Sequence, residues 1–493
     1  MAVKQPNMKA ADSPIVMKAG DTAARETAAQ KAVEATINET PEVASALAAR
    51  GIAATYDVNN RAYVELAGTT DEIHAIGEYL TSYQPARNAF LNALVNRIGL
   101  TIVTSKLYRN PWAVFKRGYL EFGDTIEEIF VNLADVHGFY PEGAEDTFAK
   151  RELPDVRAAF HRMNFQKFYK TTVSSQQLRQ AFLSWTGVSD LIARIIESLY
   201  TSANTDEYYV MRYFLAKCLL NGYIGSVSIP AISKDNAIDI ATQFQYMSDL
   251  FQYQSTKYNM AGVTTHTDFE DQYFIVTAKF KATMNMNVLA TAFNLEYREF
   301  QARMITVDTF TDFDWARMDA LFTDPATGKP DPNYHRFTQE EITLLESVPA
   351  VLVSRDWWMV LDNYVESAQW FNGEGLYWNH WHHVWKTISC SPFGQAAAFT
   401  PTAPTITSVT VTPATATLSK GADLQLNAVV VGTGIVNQGV QWTVTGGAAS
   451  GTTVTNGGYL HVAANETATT LTVTATSIQD GTKTGESTIT VTA

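Results

Sequence analysis

Charge is the scarcest resource in this chain: Asp, Glu, Lys and Arg make up 17% of 493 residues, against about a quarter in ordinary soluble domains. What charge there is leans acidic, 36 basic residues against 50 acidic ones, a formal net charge of −14. That sign excludes a protein built to grip phosphate. Cysteine is nearly absent. Cys218 and Cys390 stand alone, with no CxxC pair, so neither a disulfide framework nor a zinc ribbon is expected. Long apolar runs are missing too, the longest candidates being broken by Arg355 and Asp356 or by Gly432 and Gly434, so no membrane-spanning helix is expected. The opening MAVKQPNMKAADSPIVMKAG places Lys, Asp and Pro where a signal peptide needs an unbroken apolar core. The expectation is a soluble chain made in the cytoplasm. No GxSxG, GxxxxGK[ST] or GxGxxG occurs, which removes the common hydrolase, phosphate-loop and dinucleotide signatures.

What is present is apolar and aromatic residues, 46% and 12% of the chain, enough for a sizeable core in two to four domains at roughly 100–200 residues each. Composition changes abruptly between Thr400 and Pro404. From Pro401 to Ala493 there is no Arg, Lys420 and Lys483 are the only Lys, and Trp442 and Tyr459 are the only aromatics. Thr recurs every few residues there, and apolar residues alternate in Ile406 to Val411, Leu424 to Val430, Val440 to Val444 and Leu471 to Ala475. Gly-rich turns separate these runs. Strands with one apolar and one Thr-covered face need a second sheet, which predicts a small β-sandwich.

The first 400 residues read as mixed α and β. TAARETAAQKAVEATI near the N-terminus predicts an exposed helix with a modest apolar face. From Gln176, Leu178, Phe182, Trp185, Ile192, Ile195, Ile196 and Leu199 keep helical spacing, with Ser174 or Ser175 as cap. A break is expected around Asn204, then a second helix ending at Gly222. Asn236 to Phe251 predicts another helix through Ile240, Phe244, Met247 and Phe251, and Asp271 to Ala278 a strand. Between Thr104 and Thr172 charges of both signs crowd together, among them Lys116, Arg117, Glu127, Glu128, Arg151, Glu152 and Asp155. A long two-signed segment suits an extended hairpin that pairs with neighbouring subunits.

Residues that might carry chemistry read as packing. His380 and His382 share one face of a strand while His383 takes the other, and zinc needs three or four convergent ligands, so Trp378, His380, Trp381, His382, His383 and Trp385 are expected to be strand packing and not a metal site. Cys218 and Cys390 read as small core residues. Asp124, Glu127, Glu128, Glu340 and Glu341 read as solvated acids, and Tyr200, Tyr208, Tyr209 and Tyr213 as packing at helix ends. No catalytic, metal or cofactor-binding residue is expected.

The Thr-rich segment, through VTVTPATATLSKGADLQLNAVV, VQWTVTGG and STITVTA, resembles the bacterial group-2 immunoglobulin-like (Big-2) module, with Trp442 as its core tryptophan. Upstream, NRIGLTIV (96–103), GDTIEEIF (123–130), KRELPDVRAAFH (150–161), FYKTTVSSQQLRQAFLSW (168–185), RDWWMVLDN (355–363) and GLYWNHWHHVWKTIS (375–389) together resemble the major capsid (head) proteins of phi-29-like podoviruses. The resemblance covers roughly residues 85 to 493.

It implies an α+β chain of the HK-97-like capsid fold followed by an all-β immunoglobulin-like sandwich. Its parts would be an N-terminal arm over 1–85 and a capsid domain over 86–400, then the Big-2 module over 401–493. Within the capsid domain it implies an extended E-loop over about 104–172, a spine helix over about 176–222, an axial domain over about 236–347 and peripheral return strands over about 348–399. Lys116, Arg117, Glu127, Glu128, Arg151, Glu152 and Asp155 would make inter-subunit contacts from the E-loop. The segment 308–341 has no recognised counterpart in the family. The implied function is a non-enzymatic, self-assembling head protein of a tailed double-stranded DNA phage, forming pentamers and hexamers. Scaffolding protein, the portal and head fibres are the implied partners, with DNA enclosed but not bound by sequence, no cofactor and no membrane. The alternatives are an encapsulin-type compartment, which needs no such module, and a surface adhesin, which the missing signal peptide argues against.

Overall fold

The computed structural model describes residues 22–83, 85–86, 89–90, 109–120, 123, 125–134, 156–174, 176, 197–284, 303–447, 449 and 451–492. The chain forms two compact units: residues 1–110, 165–208 and 362–386 make one, residues 111–164, 209–361 and 387–493 the other. Helices and several small sheets coexist in the α+β class expected.

In the first unit the helices Thr22–Glu39, Pro41–Ala48 and Thr70–Ser82 fold with a short strand pair, Ala54–Tyr56 and Ala62–Val64. Thr69 and Glu72 form a reciprocal capping box at the start of the third helix. Val33, Ile37, Val43, Leu47, Ile73 and Leu80 close a core with Phe90 and Trp378. Over its described residues, the segment expected as an arm is therefore a folded lobe. Val33 and Ile37 of its first helix are buried in this core, to which Trp378, far away in sequence, also belongs. The strand Phe165–Ser174 pairs antiparallel with Tyr377–Cys390, setting His380 opposite Thr171 and His382 opposite Tyr169.

The helix Ser202–Leu220 follows a π-helical turn, Glu197–Thr201, and runs straight through Asn204, where a break was expected. The irregularity lies one turn earlier. The expected stop at Gly222 is found: its φ of +69° is the left-handed conformation that ends helices, and the Tyr223 amide bonds back to the Cys218 carbonyl at 2.9 Å. Most of the proposed spine helix upstream, residues 177–196, lies outside the described residues.

The second unit is built on a five-stranded sheet in the order Gly225–Ser228, Ala396–Thr400, Ala350–Ser354, Gln272–Thr277 and Met304–Val307. The helix Ala237–Phe251 buries Ile240, Phe244, Met247 and Phe251, the apolar stripe its spacing predicts. The Phe244 ring lies 4.1 Å from Phe399 and 5.4 Å from Phe274. A division at residue 347 would cut this sheet, because Ala350 to Ser354 pairs residue by residue with Gln272 to Val276. The strands expected as peripheral at 350–354 and 396–400 thus share a sheet with strands from the segment expected as axial. Segment 308–341 is docked on the long helix: Arg212 bonds the Asp308 carboxylate and the Asp312 carbonyl, and Tyr213 stacks on Phe337 at 5.1 Å.

Residues 405–492 form a β-sandwich with its own core of Ile406, Val411, Leu426, Val430, Trp442, Leu471, Val473 and Ile489. Its largest sheet runs Thr415–Ser419, Thr484–Thr492, Thr470–Ser477, Val440–Thr445. The run expected as one strand from Leu424 to Val430 is two, Asp423–Gln425 and Asn427–Thr433, in different sheets. Leu426 between them is buried, its amide bonded to the Gly458 carbonyl. The sandwich sits on the end of the long helix: the Gln438 amide donates to the Gly222 carbonyl at 3.1 Å, and Ser226 Oγ donates to the Ile435 carbonyl at 2.6 Å. A β-carbon on Gly222 would lie 2.2 Å from the Val436 carbonyl oxygen, so this contact needs glycine for space as well as for its backbone angle.

In the first unit several of the few charges are buried. Lys386 donates to Glu207 and, at 2.7 Å, to Asp362, while Asn110 Nδ2 donates to Glu207 at 2.6 Å and the Tyr169 hydroxyl to Asp206 at 2.9 Å. Removing one partner of a buried pair strands the other, at a cost of about 3–5 kcal/mol. Lys386→Met is therefore expected to destabilise the dissociated subunit by about that amount, and adding Glu207→Gln to recover part of it. Denaturant unfolding of the single and double variants checks this, and an unchanged midpoint for Lys386→Met would contradict it.

Candidate assembly interface

The two-signed segment does contain a β-ribbon. Thr125–Val131 and Val156–Arg162 pair antiparallel, with Glu127 opposite Phe160, Ile129 opposite Ala158 and Val131 opposite Val156. Because side chains alternate across a strand, the ribbon has two faces of different character. One lies on its own chain. There His161 Nδ1 meets Ser389 Oγ at 2.9 Å, Ser391 Oγ donates to Glu128 at 3.0 Å, Phe130 stacks on Phe393 at 5.2 Å, and Arg157 donates to the Ala261 carbonyl. The other face carries Ile129, Val131, Val156 and Phe160, each more than half exposed, with Leu133 continuing the row. Exposed apolar area of this kind, contiguous on one element, marks a surface that another protein covers.

The seven residues expected to make inter-subunit contacts are placed unevenly. Lys116 is half-buried at the start of the strand Lys116–Tyr119. Arg117 is committed to its own chain, donating to the Trp358 carbonyl at 3.0 Å and to the Asp356 carbonyl at 2.7 Å. Glu127 is exposed on the outer face, beside Phe160. Glu128 is half-buried and meets His161 Nε2 at 3.2 Å. Burial pushes its carboxyl up, but the hydrogen bonds from His161 and Ser391 outweigh that and hold it below the usual glutamate range. It is thus an anchor of the ribbon and not a solvated acid. Arg151, Glu152 and Asp155 lie outside the described residues. What the charge count missed is the apolar row, legible only once the register assigns Ile129 and Phe160 to one face.

A ribbon anchored on one face and apolar on the other has the character of a surface that contacts another protein. The model of the Phi29-like phage major capsid protein family matches residues 53–400. The chain is 33% identical to the major capsid protein of Bacillus phage B103 over 433 residues, 85% of this chain and 89% of that one. It is 31% identical to the major capsid protein of Bacillus phage PZA, over 84% of this chain and 88% of that one. Among solved structures, the capsid of Staphylococcus phage Andhra aligns with a TM-score of 0.48 and 15% identity, over 61% of this chain and 86% of that one. The chain belongs to the Phi29-like phage major capsid protein family. It is a structural protein of the virion capsid that self-assembles. The family match begins at residue 53, inside the folded N-terminal lobe and well before the expected boundary at 86.

The histidine cluster is divided by strand alternation. His380 and His382 are buried on the inner face, and His383 faces out beside Phe168 at 5.6 Å. The His382 ring lies 4.2 Å from Tyr200, with its Nδ1 3.2 Å from Ser367 Oγ. Among the described residues, neither ring nitrogen of His380 has a hydrogen-bond partner. Burial lowers both His380 and His382 to about 4, so each is neutral in the fold well below the ordinary histidine value of 6.5. As pH falls from 6.5 towards 4 the unfolded chain takes up protons that the folded chain refuses, so stability falls across that window. His380→Leu, which removes a buried ring without a hydrogen-bond partner among the described residues, is expected to leave stability at neutral pH unchanged or higher and to flatten this decline. Unfolding midpoints measured at intervals between pH 7 and 4 check it, and an equally steep decline in the variant would contradict it.

Proposed function

We propose that the chain builds the shell of a tailed double-stranded DNA phage by laying the outer face of the ribbon Thr125–Val131 and Val156–Arg162 onto a neighbouring copy of itself. The observation that carries this reading is the row Ile129, Val131, Val156 and Phe160, apolar and uncovered in one chain. In an HK-97-like arrangement this ribbon is the E-loop, the sheet around Gln272–Thr277 belongs to the axial domain, and the helix Ser202–Leu220 continues the spine. Each contact is heterologous, so copies close into rings, here pentamers and hexamers, and the rings into a shell. Arg151, Glu152 and Asp155, which precede Val156 in the sequence and lie outside the described residues, set register, a task suited to ion pairs worth under about 1 kcal/mol each. Assembly takes place in the host cytoplasm with a scaffolding protein, and the finished head carries a portal and head fibres. The sandwich over 405–492 is the Big-2 immunoglobulin-like module, seated on the capsid domain through Gly222 and Ser226. The shell encloses DNA without gripping it, since its balance of charge is −14.

Burying one large apolar side chain stabilises by about 1.5–3 kcal/mol. Ile129→Asp with Phe160→Asp is therefore expected to abolish shells while leaving the subunit folded, because both side chains point away from their own chain's core. Electron microscopy and sedimentation, with circular dichroism as the folding control, test this. Normal shells from the double variant would overturn the reading.

A further inference from the structure

A cavity of about 220 Å³ lies where the loop after the helix Ala237–Phe251 meets the sandwich. The loop supplies Thr256, Lys257 and Gly262. The sandwich supplies Gln441, Asn456 and Thr476, together with the aliphatic side chains of Val440 and Ile478. These walls are held by contacts of their own. Asn259 braces the loop, its side chain donating to the Val263 carbonyl at 2.7 Å and accepting from the Val263 amide at 2.9 Å. The Ala261 amide donates to the Pro392 carbonyl at 3.0 Å, and from the sandwich Asn456 Nδ2 donates to the Gly262 carbonyl at 3.3 Å. Gln441 and Thr476 stand directly opposite each other in neighbouring antiparallel strands, so their side chains leave the same face of the sheet. A site fixed in this way loses little conformational freedom when a ligand enters.

The charge of the lining is the reverse of the chain's. The protein carries 50 acidic residues and a balance of −14, yet among the described residues no Asp or Glu lines the cavity and one Lys does. Lys257 has no ion pair among the described residues, whereas Lys386, Arg212 and Arg117 are each paired with an acid of their own chain. One cation, a set of hydroxyl and amide groups and two aliphatic side chains complement a molecule with one anionic group, several hydroxyls and a short carbon skeleton. The volume lies below the roughly 300 Å³ at which sites for drug-sized ligands begin, which limits the skeleton to a few carbons.

We infer that this cavity binds a small hydroxylated anion, of the class of polyol phosphates and short hydroxy acids. The anionic group meets the Lys257 ammonium, the hydroxyls exchange hydrogen bonds with Thr256, Gln441 and Thr476, and the carbon skeleton lies against Val440 and Ile478. Hydrogen bonds to a charged group are the stronger kind, so the anionic group supplies most of the affinity and the hydroxyls select among anions. Because the walls belong to the loop and to the sandwich, the bound molecule ties the two together, in addition to the seat at Gly222 and Ser226.

The test titrates the full-length chain with glycerol 3-phosphate and with glycerate, followed by calorimetry and by saturation transfer to the ligand protons, with glycerol and inorganic phosphate for comparison. Saturable binding of at least one of the two hydroxylated anions is expected, and the tighter of them names the anionic group. Glycerol is expected to bind at least about tenfold more weakly because it lacks the charged contact, and inorganic phosphate more weakly because it lacks the hydroxyl contacts. Lys257→Ala is expected to weaken binding about tenfold, and Lys257→Arg to retain it. Gly481→Trp is the blocking variant. Gly481 lines the cavity, its backbone lies outside the left-handed region, and a β-carbon there meets nothing within 4 Å, so a large side chain is introduced without backbone strain. Binding lost with the circular dichroism spectrum unchanged is the expected result, and the exposed Lys257→Ala keeps the test decisive if the glycine variant fails to fold. Glycerol or inorganic phosphate binding as tightly as the hydroxylated anions, affinity unchanged in Lys257→Ala or in folded Gly481→Trp, or no saturable binding of either anion would each overturn the inference.

Discussion

The ribbon Thr125–Val131 and Val156–Arg162 buries one of its faces on its own chain and leaves the other open, and this constraint links the rest of the structure to the proposed assembly. Hydrogen bonds between Thr125–Val131 and Val156–Arg162 satisfy the backbone only along one edge of each strand. Such a ribbon is at best marginal alone. It is held by its inner face, where Glu128, Phe130, Arg157 and His161 meet residues between Ala261 and Phe393. The outer face is then presented in a fixed register. Had both faces been polar the ribbon would have no reason to bind, and had both been apolar it would have no specific seat.

The scarcity of charge takes on a meaning from where the charges sit. Lys386 and Arg212 are nearly inaccessible and committed to acids of their own chain. Arg117 and Glu128 serve the seat of the ribbon. These groups fix geometry more than they add stability, because desolvating an ion offsets much of what its pairing returns. The aromatic residues supply the bulk of the contact around them. Trp112, Phe115 and Trp358 lie within 6.3 Å of one another by ring centroid, and Phe214 and Trp357 extend that cluster towards the long helix.

Local pattern made some of this legible in the sequence. The helix Ala237–Phe251, its buried stripe, the stop at Gly222 and the strands Thr405–Thr412 and Thr470–Ser477 of the Thr-rich sandwich follow from spacing and turn chemistry that act over a few residues. The rest depends on partners far along the chain. The N-terminal lobe looked like an arm because Trp378 completes its core. Glu128 looked solvated because the groups that hold it, His161 and Ser391, are 33 and 263 residues away. The segment TIEEIFV places Ile126 and Phe130 on one face and Ile129 and Val131 on the other, so composition alone gives no inside and outside. Only the anchoring contacts break that tie.

Electrostatics bears on how the proposed shell would meet its contents. Affinity for nucleic acid scales with the number of phosphates that Lys and Arg neutralise. Of 36 such residues, only two fall beyond residue 400, and Arg212, Lys386 and Arg117 are spent on internal contacts. Internal pairing removes a cation and an acid together, so it leaves the balance of −14 unchanged while reducing the cations free to meet phosphate. In the proposed shell that deficit is an advantage: cohesion comes from apolar faces such as Ile129 and Phe160, which ignore DNA, and the packaged polymer is confined by the closed surface instead of by adhesion to it.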